Sequence, residues 1–396
     1  MWINRQLSDA VAESLANRPV TLLTGARQTG KSSLLQHMLP EITYVTFDNI
    51  LQMEAARSNP HQFLSQFNEA VIFDEIQYVP SLFRDLKILV DSDRQNYGKW
   101  IITGSQQFEL MQNVGESLAG RIGILHLQTL SALELRESGF FSDLADFLWK
   151  GGYPELWENP QLSTTLFFDG YIRTYIERDL RQLIDVTHLN RFQSLLRLLA
   201  TRVGQLINYS ELSKEVGVSD VTVKKWIHAL EISGLIYLLP PFFANIGKRM
   251  VKTPKVYFAD HGLLCHLLGI HNLPDWQQHI YRGNIWENIV FSELLKTYQM
   301  RPGANLFFYR DQNGVEIDFI ADSPEGKGGT LYLIEAKATE RPDGRKLNFK
   351  KVAPLLGKKF RHKEIKQILA ANIPAEVSLA IEDYQLVNPV KHRCFS

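Results

Sequence analysis

The fold of this chain is decided by one glycine-rich stretch, Gly25-Ala26-Arg27-Gln28-Thr29-Gly30-Lys31-Ser32, which matches the pattern GxxxxGK(S/T). The apolar run at 20–23 predicts a buried strand before it, and the segment 33–39 predicts a helix after it that ends at Pro40. Glycines let backbone N–H groups converge on an anion, and the positive end of the helix dipole would face the same anion. This order of strand, loop and helix predicts a phosphate-binding loop.

The residues of this loop have separate expected roles in binding a nucleoside triphosphate. Lys31 would reach the β- and γ-phosphates, and the Ser32 hydroxyl would be a ligand of Mg²⁺. We therefore expect ATP and Mg²⁺ as cofactors. The residues expected to contact the nucleotide are Gly25, Ala26, Arg27, Gln28, Thr29, Gly30, Lys31, Ser32 and Ser33.

A second apolar run, at 70–73, predicts a parallel strand that is buried on both faces. It leads into Asp74 and Glu75, at the strand end where open α/β sheets place their ligand crevice. We expect Asp74 to hold Mg²⁺ through water and Glu75 to orient and deprotonate the attacking water. Two adjacent acids could also be solvated loop residues, but their place after a strand, 42 residues beyond Ser32, favours catalysis.

A third strand, predicted at 100–102, leads into the segment Thr103-Gly104-Ser105-Gln106-Gln107. Small polar side chains at this strand end suit sensing of the γ-phosphate, with Ser105 or Gln106 as candidates. Ordinary turn chemistry explains the same residues almost as well.

Phosphoryl transfer also depends on positive charge near the γ-phosphate. Arg121 is the main candidate, because a compact turn at 117–121 would hold it near the same sheet edge. Arg173 and Arg178 are alternatives, and any of the three could instead be a surface or ion-paired arginine.

Length and composition indicate an ordinary multidomain protein. At 396 residues the chain is too long for one core, which indicates roughly two to four domains. No run approaches the roughly 18 apolar residues of a membrane helix, and only Cys265 and Cys394 are present, so we expect a cytoplasmic protein with no membrane contact. Lys and Arg together equal Asp and Glu, at 43 each, so net charge alone does not indicate nucleic-acid binding.

The pattern along the chain predicts an α/β protein in four parts. Residues 1–150 would form an ATPase core, with strands and helices alternating around a parallel sheet. Gly151-Gly152 marks a hinge into a helical linker or lid at 151–200. Residues 201–270 would form a winged helix-turn-helix, and residues 271–396 a nuclease-like α/β domain.

The predicted winged helix is a candidate DNA-binding module. Its elements would be helices at 192–200, 208–215 and 220–230, a turn at 216–219, and wing strands at 235–239 and 255–258. Ser219 or Asp220 would cap the last helix, and Lys224 and Lys225 could contact DNA phosphates. The same module could equally serve only for packing within an ATPase.

Acidic residues in the tail follow the order found in metal nucleases. The predicted elements are a helix at 283–296, hairpin strands at 306–310 and 315–320 around a turn at 311–314, and a strand at 330–334. The helix carries Glu287, the hairpin carries Asp318, and the strand ends in Glu335-Ala336-Lys337. Asp318 and Glu335 would hold Mg²⁺, with Glu287 completing the site and Lys337 orienting or activating water. A nuclease-like fold that does not cleave is the open alternative.

A basic stretch follows this acidic group directly. Between 341 and 366 there are ten Lys or Arg residues and two acids. A phosphate backbone would have to lie here to reach the acidic group. A basic stretch can also be no more than a solvated face.

Together these motifs resemble the prokaryotic AAA-type (AAA+) ATPases whose C-terminal half is known as domain of unknown function 4143. The resemblance rests on GARQTGKSS at 25–33, VIFDEIQ at 71–77, TGS at 103–105, SLAGR at 117–121, GGYPE at 151–155, YIERD at 175–179, TPKVYFADHGLL at 253–264, GNIWENIV at 283–290, YRDQNGVEIDF at 309–319 and IEAK at 334–337. It implies an AAA-type ATPase domain, a winged helix and a domain similar to PD-(D/E)xK nucleases. Ala26 stands where proline is expected and Ser32 where threonine is usual, and both changes keep the chemistry.

We therefore expect an ATP-hydrolysing protein that engages DNA through its C-terminal half, as a DNA-processing motor or switch. If Arg121 acts on a neighbouring chain, the protein must be a homo-oligomer. The alternative is a nucleotide-gated switch for protein interactions, in which the nuclease-like domain is a non-catalytic scaffold. The zero net charge favours the alternative, and the basic stretch favours DNA.

Overall fold

The computed structural model describes residues 2–104, 118–141, 145–176, 189–242, 252–324, 328–344, 347–374, 379–381 and 383–394. The chain divides into two compact units, one of residues 1–129 with 232–235, the other of residues 130–231 with 236–396. Our finer division into four parts stays a prediction. No helix among the described residues is long and apolar enough to cross a membrane.

The N-terminal unit is built on a parallel sheet. Its strands are β1 (Val20–Thr24), β2 (Thr43–Thr46), β3 (Val71–Asp74), β4 (Trp100–Gly104) and β5 (Ile122–His126). They lie in the order β2-β3-β4-β1-β5, and every neighbouring pair is parallel. Its helices are α1 (Ser8–Asn17), α2 (Lys31–Met38), α3 (Ile50–Ser58), α4 (Pro60–Leu64) and α5 (Leu82–Ser92), with a 3-10 turn at Ile76–Tyr78. The α/β class predicted from the sequence is confirmed.

The central strands send alternate side chains into two separate cores. Val20 and Leu22 of β1 pack in one core, whereas Leu23 packs in the other. In β3, Phe73 belongs to the first core and Ile72 to the second. Because successive strand residues point to opposite faces, both faces of this sheet are covered. This double burial explains why the strands are continuous apolar runs in the sequence.

The second unit begins with a helical region. Its helices are α6 (Ala132–Glu137), α7 (Phe147–Lys150), α8 (Pro154–Glu158), α9 (Thr164–Tyr171), which a π-helical segment (Ile172–Ile176) continues, and α10 (Leu189–Thr201). Then follow α11 (Tyr209–Val216), α12 (Asp220–Ile232), and the antiparallel strands β6 (Ile236–Leu239) and β7 (Lys255–Phe258). Gly217 ends α11 at a φ of 76°, and Ser219 caps α12 by accepting a hydrogen bond from the Thr222 N–H at 3.1 Å. These helices and strands lie where the sequence predicts them, and their assembly into a DNA-binding module stays a prediction.

The C-terminal part of this unit contains a six-stranded mixed sheet. Its helices are α13 (His261–Leu267), α14 (Leu273–Gln278), α15 (Arg282–Thr297) and α16 (Phe349–Lys359). Its strands are β8 (Leu306–Arg310), β9 (Glu316–Ser323), β10 (Thr330–Lys337), β11 (Glu364–Ala371), β12 (Leu379–Ile381) and β13 (Tyr384–Val387), in the order β12-β13-β11-β10-β9-β8. Strands β8, β9 and β10 are antiparallel neighbours, and α16 connects the parallel pair β10 and β11. The Trp286 indole N–H of α15 donates to the Ala370 carbonyl oxygen of β11 at 2.9 Å, which ties this helix to the sheet.

Candidate functional site

The loop between β1 and α2 depends on backbone conformations that glycine permits. Gly25 has a φ of 147°, and a Cβ atom there would lie 2.2 Å from the carbonyl oxygen of Leu127. Gly30, at a φ of 90°, immediately precedes the first turn of α2. Even Gln28 has a left-handed φ, of 60°. A side chain at position 25 would therefore collide with the backbone, so the loop requires glycine there.

Lys31 lies within this loop and is 5% exposed. Its Nζ donates to the carbonyl oxygens of Gly25 and Ala26, at 3.1 and 2.8 Å. Burial lowers the pKa of Lys31 to about 8, although the carboxylates of Glu75 and Asp74 oppose that shift. A buried ammonium group is costly unless it is paired, so this loop favours an anionic ligand.

The other loop residues differ in exposure. Gly25, Ala26 and Thr29 are buried, Arg27, Gly30 and Ser32 are half-buried, and Gln28 and Ser33 are exposed. The Thr29 hydroxyl donates to the Ala26 carbonyl oxygen at 3.0 Å. Arg5, which precedes α1, donates to the carbonyl oxygens of Thr29 and Gln128 at 2.8 and 2.6 Å. The loop backbone is thus fixed both by its own side chains and by an arginine outside it.

Asp74 is where three hydroxyl groups meet. Ser32 Oγ donates to Asp74 Oδ1 at 2.8 Å, and the Tyr44 hydroxyl donates to Oδ2 at 2.6 Å. The Thr103 hydroxyl also donates to Oδ1. Burial and the hydrogen bond to Asp74 raise the pKa of Tyr44, so its hydroxyl stays a donor. The structure therefore brings together Ser32, the expected ligand of Mg²⁺, and Asp74, which we expect to hold the ion through water, and their hard oxygen atoms fit that ion.

Glu75 lies beside Asp74 in a left-handed backbone conformation, with a φ of 56°. Its N–H donates to Thr103 Oγ1 at 3.3 Å, and its carboxylate accepts a hydrogen bond from the side-chain amide of Gln77. Gln77 is itself buried, at 5% exposed. Two polar groups thus fix the backbone and the carboxylate of the acid that we expect to activate water.

Arg121 does not lie at this edge of the sheet, which corrects our expectation. It precedes the first residue of β5, and Ile122 is opposite Val20, the first residue of β1. The loop at 25–32 follows the other end of β1. Arg121 instead binds Asp91 of α5, with Nε at 2.6 Å from Oδ1 and Nη2 at 3.0 Å from Oδ2. The compact turn does hold this arginine, but at the amino ends of the strands.

The remaining candidates for the nucleotide site fall in other places. Ser105, Gln106 and Arg178 lie outside the described residues. Arg173 is exposed, in the π-helical segment of the second unit. Of the predicted TGS segment, the described residue with its side chain in the site is Thr103.

Sequence reasoning missed Tyr44, Gln77 and Arg5. Tyr44 belongs to no motif, and only the structure shows that β2 is the strand beside β3, with Thr46 opposite Asp74. Gln77 follows Glu75 by two residues within the segment VIFDEIQ, so it could have been considered. Nothing in the sequence singles out Arg5.

The structure also brings the predicted tail residues together. Asp318 of β9 accepts a hydrogen bond from the Ala336 N–H of β10 at 2.8 Å, and Lys337 Nζ lies 3.3 Å from Glu335 Oε2. Burial raises the pKa of Glu335, against the opposing effect of the Asn348 N–H and of Lys337. Burial alone would lower the pKa of Lys337, but Asp318 and Glu335 outweigh it and raise that pKa.

An unexpected residue, Lys255 of β7, completes this group. Its Nζ lies 2.9 Å from Glu287 Oε1 and 2.5 Å from Glu316 Oε1. The Tyr257 hydroxyl donates to the same Glu287 oxygen at 2.5 Å. Burial alone would lower the pKa of Lys255, but Glu287, Asp318 and Glu316 outweigh it and raise that pKa, so its charge is kept.

These contacts do not fit the Mg²⁺ centre that we expected at Glu287, Asp318 and Glu335. Across the part of the chain that the structure describes, no group of three or more His, Cys, Asp or Glu side chains is arranged to hold a metal ion. Glu287 forms an ion pair with Lys255. Glu335 forms an ion pair with Lys337 and accepts a hydrogen bond from the Asn348 N–H. The reason is physical, since the positive charge that would offset these carboxylates is already supplied by lysine.

The loop geometry, the buried Lys31 and the strand-end acids define the N-terminal unit as a P-loop ATPase domain. Residues 17–136 match the family described as AAA domain, and residues 282–369 match domain of unknown function 4143. Residues 141–273 match a further domain of unknown function, 8612. An uncharacterized protein of Mycobacterium tuberculosis is 33% identical over 341 residues, which cover 85% of this chain and 74% of that protein. The chain belongs to this family of P-loop ATPases, with an AAA domain at the N-terminus and domain of unknown function 4143 at the C-terminus.

More distant relatives and solved structures also match more than half of this chain. An uncharacterized protein of Haemophilus influenzae is 27% identical over 337 residues, or 76% of this chain and 79% of that protein. Among solved structures, a Walker-type ATPase of Pyrococcus abyssi is 19% identical, covers 68% of this chain and 96% of its own, and gives a TM-score of 0.45. The RuvB Holliday junction branch migration motor of Thermotoga maritima is 13% identical, covers 60% of this chain and 90% of its own, and gives a TM-score of 0.30. At these TM-scores the family assignment depends on the sequence matches.

Proposed function

We propose that this chain hydrolyses ATP in its N-terminal unit and engages DNA through its C-terminal half. The observation that carries the first part is the buried ammonium of Lys31, which lies in a glycine-shaped loop and interacts electrostatically with Asp74 and Glu75. Such an ammonium compensates the negative charge of the β- and γ-phosphates.

Each residue of the site has a distinct part in this proposal. Lys31 binds phosphate charge, and Glu75, fixed by Gln77 and Thr103, takes the proton of the attacking water. Ser32 and Asp74 would hold Mg²⁺, which when bound supplies positive charge to the phosphate oxygens. Tyr44 keeps Asp74 in one orientation through its hydrogen bond to Oδ2.

The test separates binding from hydrolysis by two substitutions. Lys31→Ala should abolish tight ATP binding, because the positive charge of the loop is lost. Glu75→Gln should keep ATP binding but lower turnover by roughly 100-fold or more, because the group that accepts the proton is lost. ATP affinity by calorimetry and phosphate release are the two measurements. The exposed Glu69→Gln variant of the same unit is the control, and wild-type turnover in Glu75→Gln would contradict the assigned role.

Exposed lysines support the proposed contact with DNA. Lys224 and Lys225 are exposed on α12, and Lys358 and Lys359 are exposed in the last turn of α16. Among the described residues, no ion pair is formed by any of these four. Lys224 interacts electrostatically with Asp220 but forms no close ion pair with it. Exposed lysines without a close ion pair are suited to phosphate contacts.

DNA binding is tested by its salt dependence. Removing either lysine pair, Lys224→Ala/Lys225→Ala or Lys358→Ala/Lys359→Ala, should weaken binding and reduce the slope of log K against log salt by about 2. The control removes two charges from α5, as Arg84→Ala/Lys87→Ala, and should leave the slope unchanged. Duplex, branched and single-stranded DNA are titrated at several salt concentrations. A slope unaffected by both lysine pairs would contradict these contacts.

The second candidate function is a nucleotide-gated switch for protein interactions. The contact of Lys255 with Glu287 and Glu316 favours it, because these carboxylates then serve the structure of the unit. This candidate requires that no DNA of any form binds in a salt-dependent manner. The same titrations therefore decide between the two.

A further inference from the structure

The acidic group of the C-terminal unit, made of Glu287, Glu316, Asp318 and Glu335, also contains a lysine, Lys255. Lys255 is 2% exposed, and its Nζ lies within 3 Å of a carboxylate oxygen of both Glu287 and Glu316. Asp318 also acts on it electrostatically. One ammonium group thus interacts with acids from α15 and β9, although it belongs to neither element.

Three further carboxylate oxygens of the group also have partners. Asp318 Oδ2 accepts from the Ala336 N–H at 2.8 Å, and Glu335 Oε1 accepts from the Asn348 N–H at 2.6 Å. Glu335 Oε2 faces Lys337. A divalent cation takes its ligands from such oxygens, so its entry would have to displace Lys255 and break several of these bonds.

Lys255 is also enclosed by its surroundings. A Cβ atom on Gly204 would lie 3.2 Å from Glu287 Oε2, which shows how closely the backbone covers this pair. The Phe308 ring has its centroid 5.5 Å from Lys255 Nζ. The Tyr257 hydroxyl, two residues along β7, donates to Glu287. A strand with two residues bound to the same glutamate is held firmly against α15.

We infer that Lys255 is the resident cation of this acidic group, and that the group is an ion-pair joint between β7 and the C-terminal sheet, in place of a divalent-metal nuclease centre. This inference goes beyond the proposed ATPase and DNA-binding functions and does not depend on either. Its consequence is that any action of this unit on DNA is binding without metal-dependent cleavage.

The test measures Mn²⁺ stoichiometry by calorimetry on the full-length chain without nucleotide. Asp318→Asn should leave the stoichiometry of the wild-type chain unchanged. Lys255→Ala should gain one Mn²⁺ per chain, because Glu287, Glu316 and Asp318 then lack the ammonium group that they share and the truncated side chain leaves room. The double variant Lys255→Ala/Asp318→Asn should lose that gain. The exposed Lys252→Ala variant is the matched control and should gain none.

Three results would overturn the inference. The first is a wild-type chain whose Mn²⁺ stoichiometry falls by one in Asp318→Asn, a comparison that needs no Lys255 variant and holds even if Lys255→Ala fails to fold. The second is a folded Lys255→Ala chain that gains no Mn²⁺, since the ammonium would then not stand in a cation position. The third is plasmid nicking in Mg²⁺ that is lost in Lys337→Ala, which would show a working metal centre.

Discussion

Tyr44 shows how a residue without a motif becomes part of the nucleotide site. It lies on β2, and its hydroxyl completes a set of three donors around Asp74, the others coming from Ser32 and Thr103. The bonds from Ser32 and Thr103 hold Oδ1 and the bond from Tyr44 holds Oδ2, so both oxygens of the carboxylate are fixed in place. When a metal ion takes the place of the Ser32 contact, the bonds from Tyr44 and Thr103 would still orient Asp74.

Tyr44→Phe removes one of these bonds and leaves the ring in place. We expect a stability loss of about 1 kcal/mol, as for an ordinary buried hydrogen bond. Since the hydroxyl acts only through Asp74, the variant should need several-fold more Mg²⁺ for half-maximal ATP turnover, while kcat at saturating Mg²⁺ changes little. Tyr97→Phe, at a tyrosine that is 49% exposed in the same unit, is the control. An unchanged Mg²⁺ requirement would show that Tyr44 has no positioning role.

At the scale of elements, two of the motif segments are explained by packing. Gly151 and Gly152 lie against the segment that begins α13. A Cβ atom on Gly151 would lie 2.2 Å from Asp260 Oδ1, and the Gly152 N–H donates to Asp260 Oδ2 at 2.9 Å. A Cβ atom on Gly262 would likewise lie 2.2 Å from the Lys150 carbonyl oxygen. The glycines of both segments thus permit a close contact between α7 and α13.

Elements could be predicted from the sequence wherever a local pattern specifies them. β7 has the predicted bounds, and α15 extends the predicted helix by one residue at each end. The partners of Lys255 could not be predicted, because they come from α15 and β9, and only the three-dimensional arrangement brings these to one point. The same holds for Asp91, which no motif connects with Arg121. The phosphate-binding loop and the acids near it could be predicted from sequence patterns, whereas the contacts that hold those acids in place could be seen only in the structure.

The burial of Glu293 of α15 against α6 should make the free energy of unfolding depend on pH. Glu293 is 2% exposed and accepts a hydrogen bond from the Ala132 N–H of α6 at 3.1 Å. Burial raises the pKa of Glu293 from 4.5 to about 7, against the effect of Lys296. The folded chain therefore holds a proton between these pH values that the unfolded chain has lost. Its contribution to stability is complete below pH 4.5 and is lost as pH rises through about 7.

Glu293→Gln removes this titration and keeps the acceptor oxygen. The stability of the variant relative to wild type should therefore increase as pH rises from 5 to 8, by up to about 3 kcal/mol. Urea unfolding at a series of pH values measures the difference. The exposed Glu158→Gln variant is the control and should show no such trend. A difference that is constant across this range would mean that Glu293 is ionised in the folded chain throughout.

At the scale of the whole molecule, the position of Arg121 limits how ATP hydrolysis can depend on assembly. Within one chain this arginine is at the amino end of the sheet, whereas Lys31 and Asp74 are at the carboxyl end. It can therefore act on phosphate only in a neighbouring copy of the chain. Its contacts to Asp91, which hold the pKa of that carboxyl below its usual range, indicate a structural role in its own unit instead.

The comparison of Arg121→Ala with Asp91→Ala separates these two roles. If Arg121 only ties β5 to α5, both variants lose the same ion pair and both should be destabilised, Asp91→Ala somewhat more because it also loses its contact with Arg94. Both should keep wild-type kcat per folded chain at every protein concentration. A catalytic arginine in a homo-oligomer would give a different pattern. Turnover per wild-type chain would rise with protein concentration, and Arg121→Ala would abolish that rise while Asp91→Ala, which leaves the guanidinium free, would keep it. We expect the first pattern, because the guanidinium is already held by both oxygens of the Asp91 carboxylate and by the Ala119 carbonyl oxygen.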